Sequence, residues 1–335
     1  MKKIIVTLTV CCFALLTLAA GLGIWGYKNI IEFSQSPLNI TESQDLMLKR
    51  GTSFSHLVST LEQRKIITEG WKLKVLVKLK PELAKIRSGF YELQAGESLN
   101  ELLIKLVRGE EKIFKVTLIE GQNINEWTKI LQTLPHSVYD EGVFTKVLSE
   151  KGDNSGLPEG KFYPDTYHYL AGDNVGSIVL QSYNKMQQEL EKAWAHRATD
   201  LPLNSSYELL IMASIIEKET GKASERPWIS AVFTNRLNKG MRLQTDPTVI
   251  YGMGDSYQGQ ITRKALREQT PFNTYRINGL TPTPIAAPSL ASLIAAAQPA
   301  DVNYLYFVSK NDGSHVFSKT LSEHNRAVNK YQRNQ

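Results

Sequence analysis

The sequence predicts an α+β protein with three parts: an N-terminal transmembrane helix, a small α/β domain and a larger mixed α+β domain. Three observations carry that expectation. An uncharged apolar stretch, Ile4–Trp25, opens the chain. A glycine, a capping residue and a short amphipathic run recur together three times between residues 51 and 131, each copy after a strand-like segment. Residues 207–220, YELLIMASIIEKET, are apolar nearly all the way round a helix and are followed by Gly- and Pro-rich polar loops. The expected boundaries are a stub and anchor over 1–28, a linker over 29–45, the repeat region over 46–131 and the larger domain over 132–335.

Composition narrows the function. At 335 residues the chain has room for two or three domains with cores of their own. The formal charge of +6 suits an anionic surface such as a wall polymer or lipid headgroups, and is too small and dispersed to point to nucleic acid. The six histidines show no metal-ligand spacing, and no Gly-rich phosphate loop follows a strand, so neither a metal nor a cofactor is expected. Cys11 and Cys12 both lie in the apolar stretch. The rest of the chain therefore has no structural disulfide and no cysteine nucleophile.

Ile4–Trp25 is long enough to cross a bilayer. Lys2 and Lys3 precede it, while Trp25 and Tyr27 stand at its far end where interfacial aromatics belong. The lysines favour a cytoplasmic N-terminus with the body outside. The run continues past Ala19-Ala20-Gly21, which argues against a cleaved signal peptide. Pro37 and Asn39 break the segment that follows.

The three repeat copies are Gly51–Leu61, Gly96–Leu106 and Gly121–Leu131, preceded by strand-like Leu46–Lys49, Ser88–Leu93 and Ile113–Ile119. Each supplies a turn glycine, then Ser or Asn as N-cap, then apolar residues at helical spacing. The first two copies resemble LysM-like modules, which bind glycan chains; the helix-like insert Gly70–Leu83 departs from a simple unit of that kind. Residues 137–155 read as helix broken by Gly and Asn. Pro158–Tyr167 is dense in aromatics, prolines and carboxylates, and reads either as a wall for a sugar-like ligand or as a packed aromatic turn. Ile178–His196 reads as a long polar helix.

In the 207–220 helix, Ser205 is the expected N-cap with Glu208 as its reciprocal partner, and Gly221 the expected stop. A carboxylate leaving a core helix is placed to serve as an acid, because partial burial favours the protonated form. Glu217 shares a face with Leu210, Ala213 and Ser214; Glu219 shares one with Met212, Ile215 and Ile216. Periodicity does not choose between them. Beyond lie a helix over Ser224–Asn238 with Arg236 near its end, polar loops over 240–252, 271–275 and 279–285, a small-residue helix over Ser289–Ala297, and strands over Tyr304–Val308 and Gly313–Phe317. His315 and His324 read as packing or surface residues, and Tyr331–Gln335 as a frayed end.

At IIEKET (215–220), LQTDPTVIYG (243–252), FNTY (272–275) and EGKFYPDTY (159–167) the chain resembles the YceG-like endolytic murein transglycosylases, inner-membrane proteins of Gram-negative bacteria with related forms elsewhere. The resemblance spans essentially the whole chain. It implies cleavage of the β-1,4 bond after N-acetylmuramic acid in nascent peptidoglycan glycan strands, giving 1,6-anhydro ends, in a periplasmic body near peptidoglycan synthases. It places the catalytic acid at the first glutamate of IIEKET, Glu217. It implies that Gln244, Thr245, Asp246, Asn273 and Tyr275 line the substrate site. Two other functions stay open: a non-catalytic, membrane-anchored peptidoglycan-binding scaffold, and a muramidase, which needs a second carboxylate from Asp165, Asp246 or Glu225.

Overall fold

The computed structural model describes residues 2–333, with side chains from Ile4 onward. Met1, Asn334 and Gln335 lie outside the described residues; of the expected frayed end, Tyr331–Arg333 instead belong to a helical turn, Asn329–Arg333, and the last two residues fall outside. The architecture is mixed α+β: one long apolar helix, several shorter helices and small two-stranded sheets. The chain divides into two compact units between Phe114 and Lys115. The third repeat copy, expected in the smaller domain, therefore belongs to the second unit.

The first unit begins with helix α1 (Lys2–Gln35). Its apolar side chains through Trp25 are exposed, as suits a helix whose solvent is lipid. The helix does not stop where the linker was expected. Nothing breaks it before Pro37, and Ile30 and Ser34 turn inward to join Leu38 in the core. Residues 29–35 are thus the last turns of a helix, not linker. Strand β1 (Gln44–Leu48) is followed by α2 (Phe54–Gln63), α3 (Gly70–Leu79), β2 (Gly89–Leu93) and α4 (Leu99–Arg108). The two strands pair antiparallel with Leu46 opposite Tyr91, both fully buried.

The repeated device is physical. Gly51, Gly96 and Gly121 have φ of +84°, +84° and +74°, a conformation that glycine adopts without strain. Ser53, Ser98 and Asn123 then cap the following helices, and Ser98 and Asn123 form full capping boxes with Glu101 and Glu126.

Strand β3 (Phe114–Thr117) leads into the second unit. Helices α5 (Ile124–Gln132) and α6 (Val143–Glu150) precede β4 (Thr166–Tyr169), a strand the sequence did not reveal. Strand β3 pairs with β4, and the hydroxyls of Thr117 and Thr166 meet at 2.8 Å. The segment before β4 is a packed turn. Phe162 is fully buried edge-on against Phe144, and Glu159 accepts from Ile124 N–H and the Tyr251 hydroxyl.

Helix α7 (Val175–Ala195) packs beside α8 (Ser206–Glu219), the centre of this unit. Every residue from Leu209 to Ile216 is buried. Ser205 caps α8 through Glu208 N–H, but the Glu208 carboxylate accepts from Asn204 N–H, one residue earlier than expected. The stop also differs: Thr220 leaves the helix in an extended conformation, so Gly221 is not needed in a left-handed one. Helix α9 (Arg226–Asn238) follows with Pro227 in its first turn, then α10 (Asp246–Met253), α11 (Arg263–Arg267) and α12 (Leu290–Ala297). Strands β5 (Tyr306–Ser309) and β6 (His315–Ser318) form an antiparallel hairpin against α13 (Leu321–Val328). The fully buried Ser214 hydroxyl accepts from Ile285 N–H at 3.0 Å, which fastens the 279–285 loop to α8.

Candidate active site

A cleft of about 430 Å³ opens at the C-terminal end of α8. Its lining includes Glu219, Arg236, Gln244, Thr245, Asp246 and Tyr275, with Tyr306–Ser309, His315 and His324 from the C-terminal elements.

The structure separates the two acids that helix periodicity left unresolved. They stand two residues apart, which is about 200° around a helix, so they point to different surroundings. The Glu217 side chain is 5% exposed and does not line the cleft. Its Oε2 accepts from the Ser289 N–H at 2.9 Å and the Ser289 hydroxyl at 2.5 Å, at the N-cap of α12. Its Oε1 lies 3.5 Å from the Arg226 guanidinium. This is a tie between the end of α8, the start of α9 and the start of α12.

Glu219 lines the cleft and accepts a hydrogen bond from the Thr245 hydroxyl. Burial pushes its carboxyl up to about 7; the Thr245 bond opposes that shift and the charge of Asp246 adds to it. A carboxyl with such a value holds its proton at neutral pH for much of the time and is poised to give it up.

The loop that supplies Thr245 is held by backbone and hydroxyl bonds. Gln244 N–H donates to the Thr274 carbonyl at 3.2 Å, and Thr245 N–H donates to the Thr274 hydroxyl at 3.0 Å. The Thr248 hydroxyl meets that of Thr274 at 2.8 Å and donates to the Thr245 carbonyl. Gln244 itself is exposed at φ +52°, a left-handed backbone for a non-glycine residue, as functional loops often contain. Asp246 accepts from the Tyr275 hydroxyl at 2.7 Å; burial first and this bond second raise the tyrosine above its usual range.

Asn273 does not join the cleft. It is 1% exposed and donates to the carbonyls of Ala265, Leu266 and Glu268, while its Oδ1 accepts from Tyr275 N–H. It staples the loop that carries Tyr275. Asn273→Ala strips these carbonyls, that of Ala265 buried and the other two partly so, of their donor and is expected to cost about 1–3 kcal/mol, read as a lower melting temperature. A residue acting only by touching sugar would instead leave melting unchanged and raise KM.

Of the second carboxylates weighed for a hydrolase, Asp165 pairs with Lys185 and Glu225 with His315; Asp246 alone of the three lines the cleft. Sequence reasoning missed Arg236. This residue is 7% exposed and donates to the carbonyls of Leu305, Arg242 and Leu243, joining α9 to the residue before β5 and to the Gln244 loop. Its place in the last turn of a helix that leads into a polar loop was the available signal.

Comparison with known proteins agrees with this architecture. A protein of Bacillus subtilis (strain 168) named endolytic murein transglycosylase is 32% identical over 306 residues, which is 86% of this chain and 84% of that protein. One of the same name from Streptococcus pneumoniae serotype 2 is 25% identical over 349 residues, and the chain spans 62% of its length. The crystal structure of a YceG-like protein from Listeria monocytogenes is similar with a TM-score of 0.54 and 28% identity, over 86% of this chain and 99% of that one. The model of the YceG-like family matches residues 46–330, and the chain belongs to that family.

Proposed function

We propose that the chain is an endolytic murein transglycosylase whose general acid is Glu219. The observation that carries this reading is a carboxyl raised to about 7 at the mouth of a core helix, in a cleft whose other polar groups suit a sugar. The relatives' names give the substrate: peptidoglycan, an alternating polymer of N-acetylglucosamine and N-acetylmuramic acid.

Glu219 protonates the oxygen leaving C1 of the muramoyl residue. The resulting carboxylate then removes the proton from the C6 hydroxyl of the same residue, and that oxygen closes on C1. One carboxylic acid serves twice, and the product is a 1,6-anhydromuramoyl end. Intramolecular attack supplies up to about 7–11 kcal/mol of effective-molarity advantage in ideal cases, so no bound water nucleophile is needed. The Thr245 hydroxyl orients the Glu219 carboxyl. Gln244, Asp246 and Tyr275 offer amide, carboxylate and phenol groups to sugar hydroxyls. Asn273 and Glu217 hold the frame.

Helix α1 is long and apolar enough for a single membrane span, and Lys2 and Lys3 favour a cytoplasmic N-terminus. The body then acts on the wall side of the membrane, near the synthases that make its substrate. The first unit is its LysM-like glycan-holding part.

The test uses the full-length protein in detergent with purified glycan strands, and weighs the products by mass. Anhydro ends are lighter than hydrolysis products by one water. Because Asp246 shares the cleft, a muramidase reaction has a candidate second carboxylate, and products bearing the extra water would establish it. Binding without any cleavage would leave the scaffold reading.

A further inference from the structure

A second group of polar atoms faces the cleft and has no part in the chemistry above. His315, at the start of β6, has a side chain 12% exposed. Its Nδ1 lies 2.7 Å from Oε2 of Glu225, and its backbone N–H donates to Oε1 at 3.1 Å. Burial alone would raise the Glu225 carboxyl; the two bonds from His315, with the nearby charge of Lys222 at 3.7 Å, outweigh it and bring the carboxyl below its ordinary range. Glu225 is therefore ionised and accepts from Nδ1–H, which leaves Nε2 for the cleft: a lone-pair acceptor while the ring is neutral, it takes up a proton when an anion binds and then donates Nε2–H to that anion. Phe307 meets the ring edge-on at 5.5 Å and fixes its plane. Among the described residues Nε2 has no hydrogen-bond partner.

Arg236 lines the same wall. Its Nε and Nη1 are committed to backbone carbonyls and to the Gln244 amide, and the guanidinium lies 5.1 Å from the centre of the Tyr306 ring, but Nη2 has no hydrogen-bond partner among the described residues. Nor does this buried guanidinium form an ion pair with any carboxylate there. A buried cation without a counter-charge is costly, and it favours an anion that arrives with a ligand. The cleft's own acids, Glu219 and Asp246, come from the end of α8 and the start of α10. His324 adds no charge, because burial first and Arg236 second favour its neutral form.

We propose that Arg236 and the Glu225-held His315 form a subsite for a carboxylate carried by the muramoyl side chain of the glycan. This rests on the glycan-cleaving reading of the cleft. Among the sugars of the strand, muramic acid alone bears such a group, on a lactyl ether at O3. The carboxylate is either the lactyl one of a peptide-free strand or one on the attached peptide. The subsite sets which residue presents its C1 to Glu219, and so fixes the bond that is cut.

Full-length protein is assayed for kcat/KM on four substrates: peptide-free and peptide-bearing strands, each with its carboxylates free or converted to methylamides. The wild type is expected to favour the free form over the amide by about tenfold in one pair, and that pair identifies the source. In His315→Ala and Glu225→Gln the ratio falls toward one. Misfolding lowers rates on both members of a pair alike and does not move the ratio. Equal rates on free and amidated strands in both pairs, or a wild-type ratio retained in His315→Ala, would overturn the subsite while leaving the cleavage intact. Absence of anhydro ends from every substrate would sink the cleavage reading and this subsite with it.

Discussion

Glu219→Gln removes the formation of anhydro ends, with kcat down by about 10²–10⁴-fold or more, while glycan binding persists. The glutamine keeps the size of the side chain and still accepts from the Thr245 hydroxyl, but has no proton to give. Glu217→Gln is the necessary companion. It removes the charge that faces Arg226 at 3.5 Å, where both side chains are largely buried and the guanidinium Nε already lacks a partner. Breaking such a pair is expected to cost about 3 kcal/mol, read as a lower melting temperature, with anhydro ends still formed below that melt. The reverse pattern, with Glu217→Gln stable and inactive and Glu219→Gln active, would return the acid to the position that the family resemblance assigned.

That exchange shows where the sequence is legible and where it stops. Local devices were readable because their causes are local. The glycine, the cap and the short helix lie within a few residues of one another, and all three copies adopt the expected conformation. The burial of α8 followed from its unbroken apolar run. The direction of a side chain at the end of a helix is different, because the elements that meet it decide its surroundings. Ser289 and Arg226 claim Glu217, while Thr245 claims Glu219. The pairing of Glu225 with His315 joins residues 90 positions apart, and Arg236 reaches carbonyls up to 69 positions away. Motif spacing does not encode such distances. Strand β4 was hidden for a related reason, since its partner β3 lies beyond two intervening helices. Asn273 sits inside a family motif, which made it look like a ligand contact; its role in the loop emerges only from three carbonyls around it.

The pH dependence of both rate and stability is expected to report Glu219 directly. Its carboxyl lies near 7 in the folded chain and near 4.5 when unfolded. Between those values the folded state binds more protons than the unfolded one, so stability falls as pH rises. The contribution is complete below about 4.5 and lost once pH has passed about 7. The loss is on the order of 2–3 kcal/mol after allowance for contact with cleft water. Glu159, also raised to about 7 by burial, acts with the same sign. Glu219→Gln removes its own share and leaves that of Glu159. Its melting temperature is therefore expected to fall less than the wild type's between pH 5 and pH 8, and to exceed the wild type's at pH 8. The rate follows the same proton. Because a single group begins protonated and then acts as base, kcat/KM should be flat below about 7 and drop tenfold per pH unit above it. Thr245→Val keeps the shape of the buried side chain and deletes the hydroxyl bond that opposes the upward shift. The falling limb should move to higher pH in that variant. A limb that stays in place would mean that another group sets it, and an added acid-side limb would indicate a second carboxylate working as base, as hydrolysis requires.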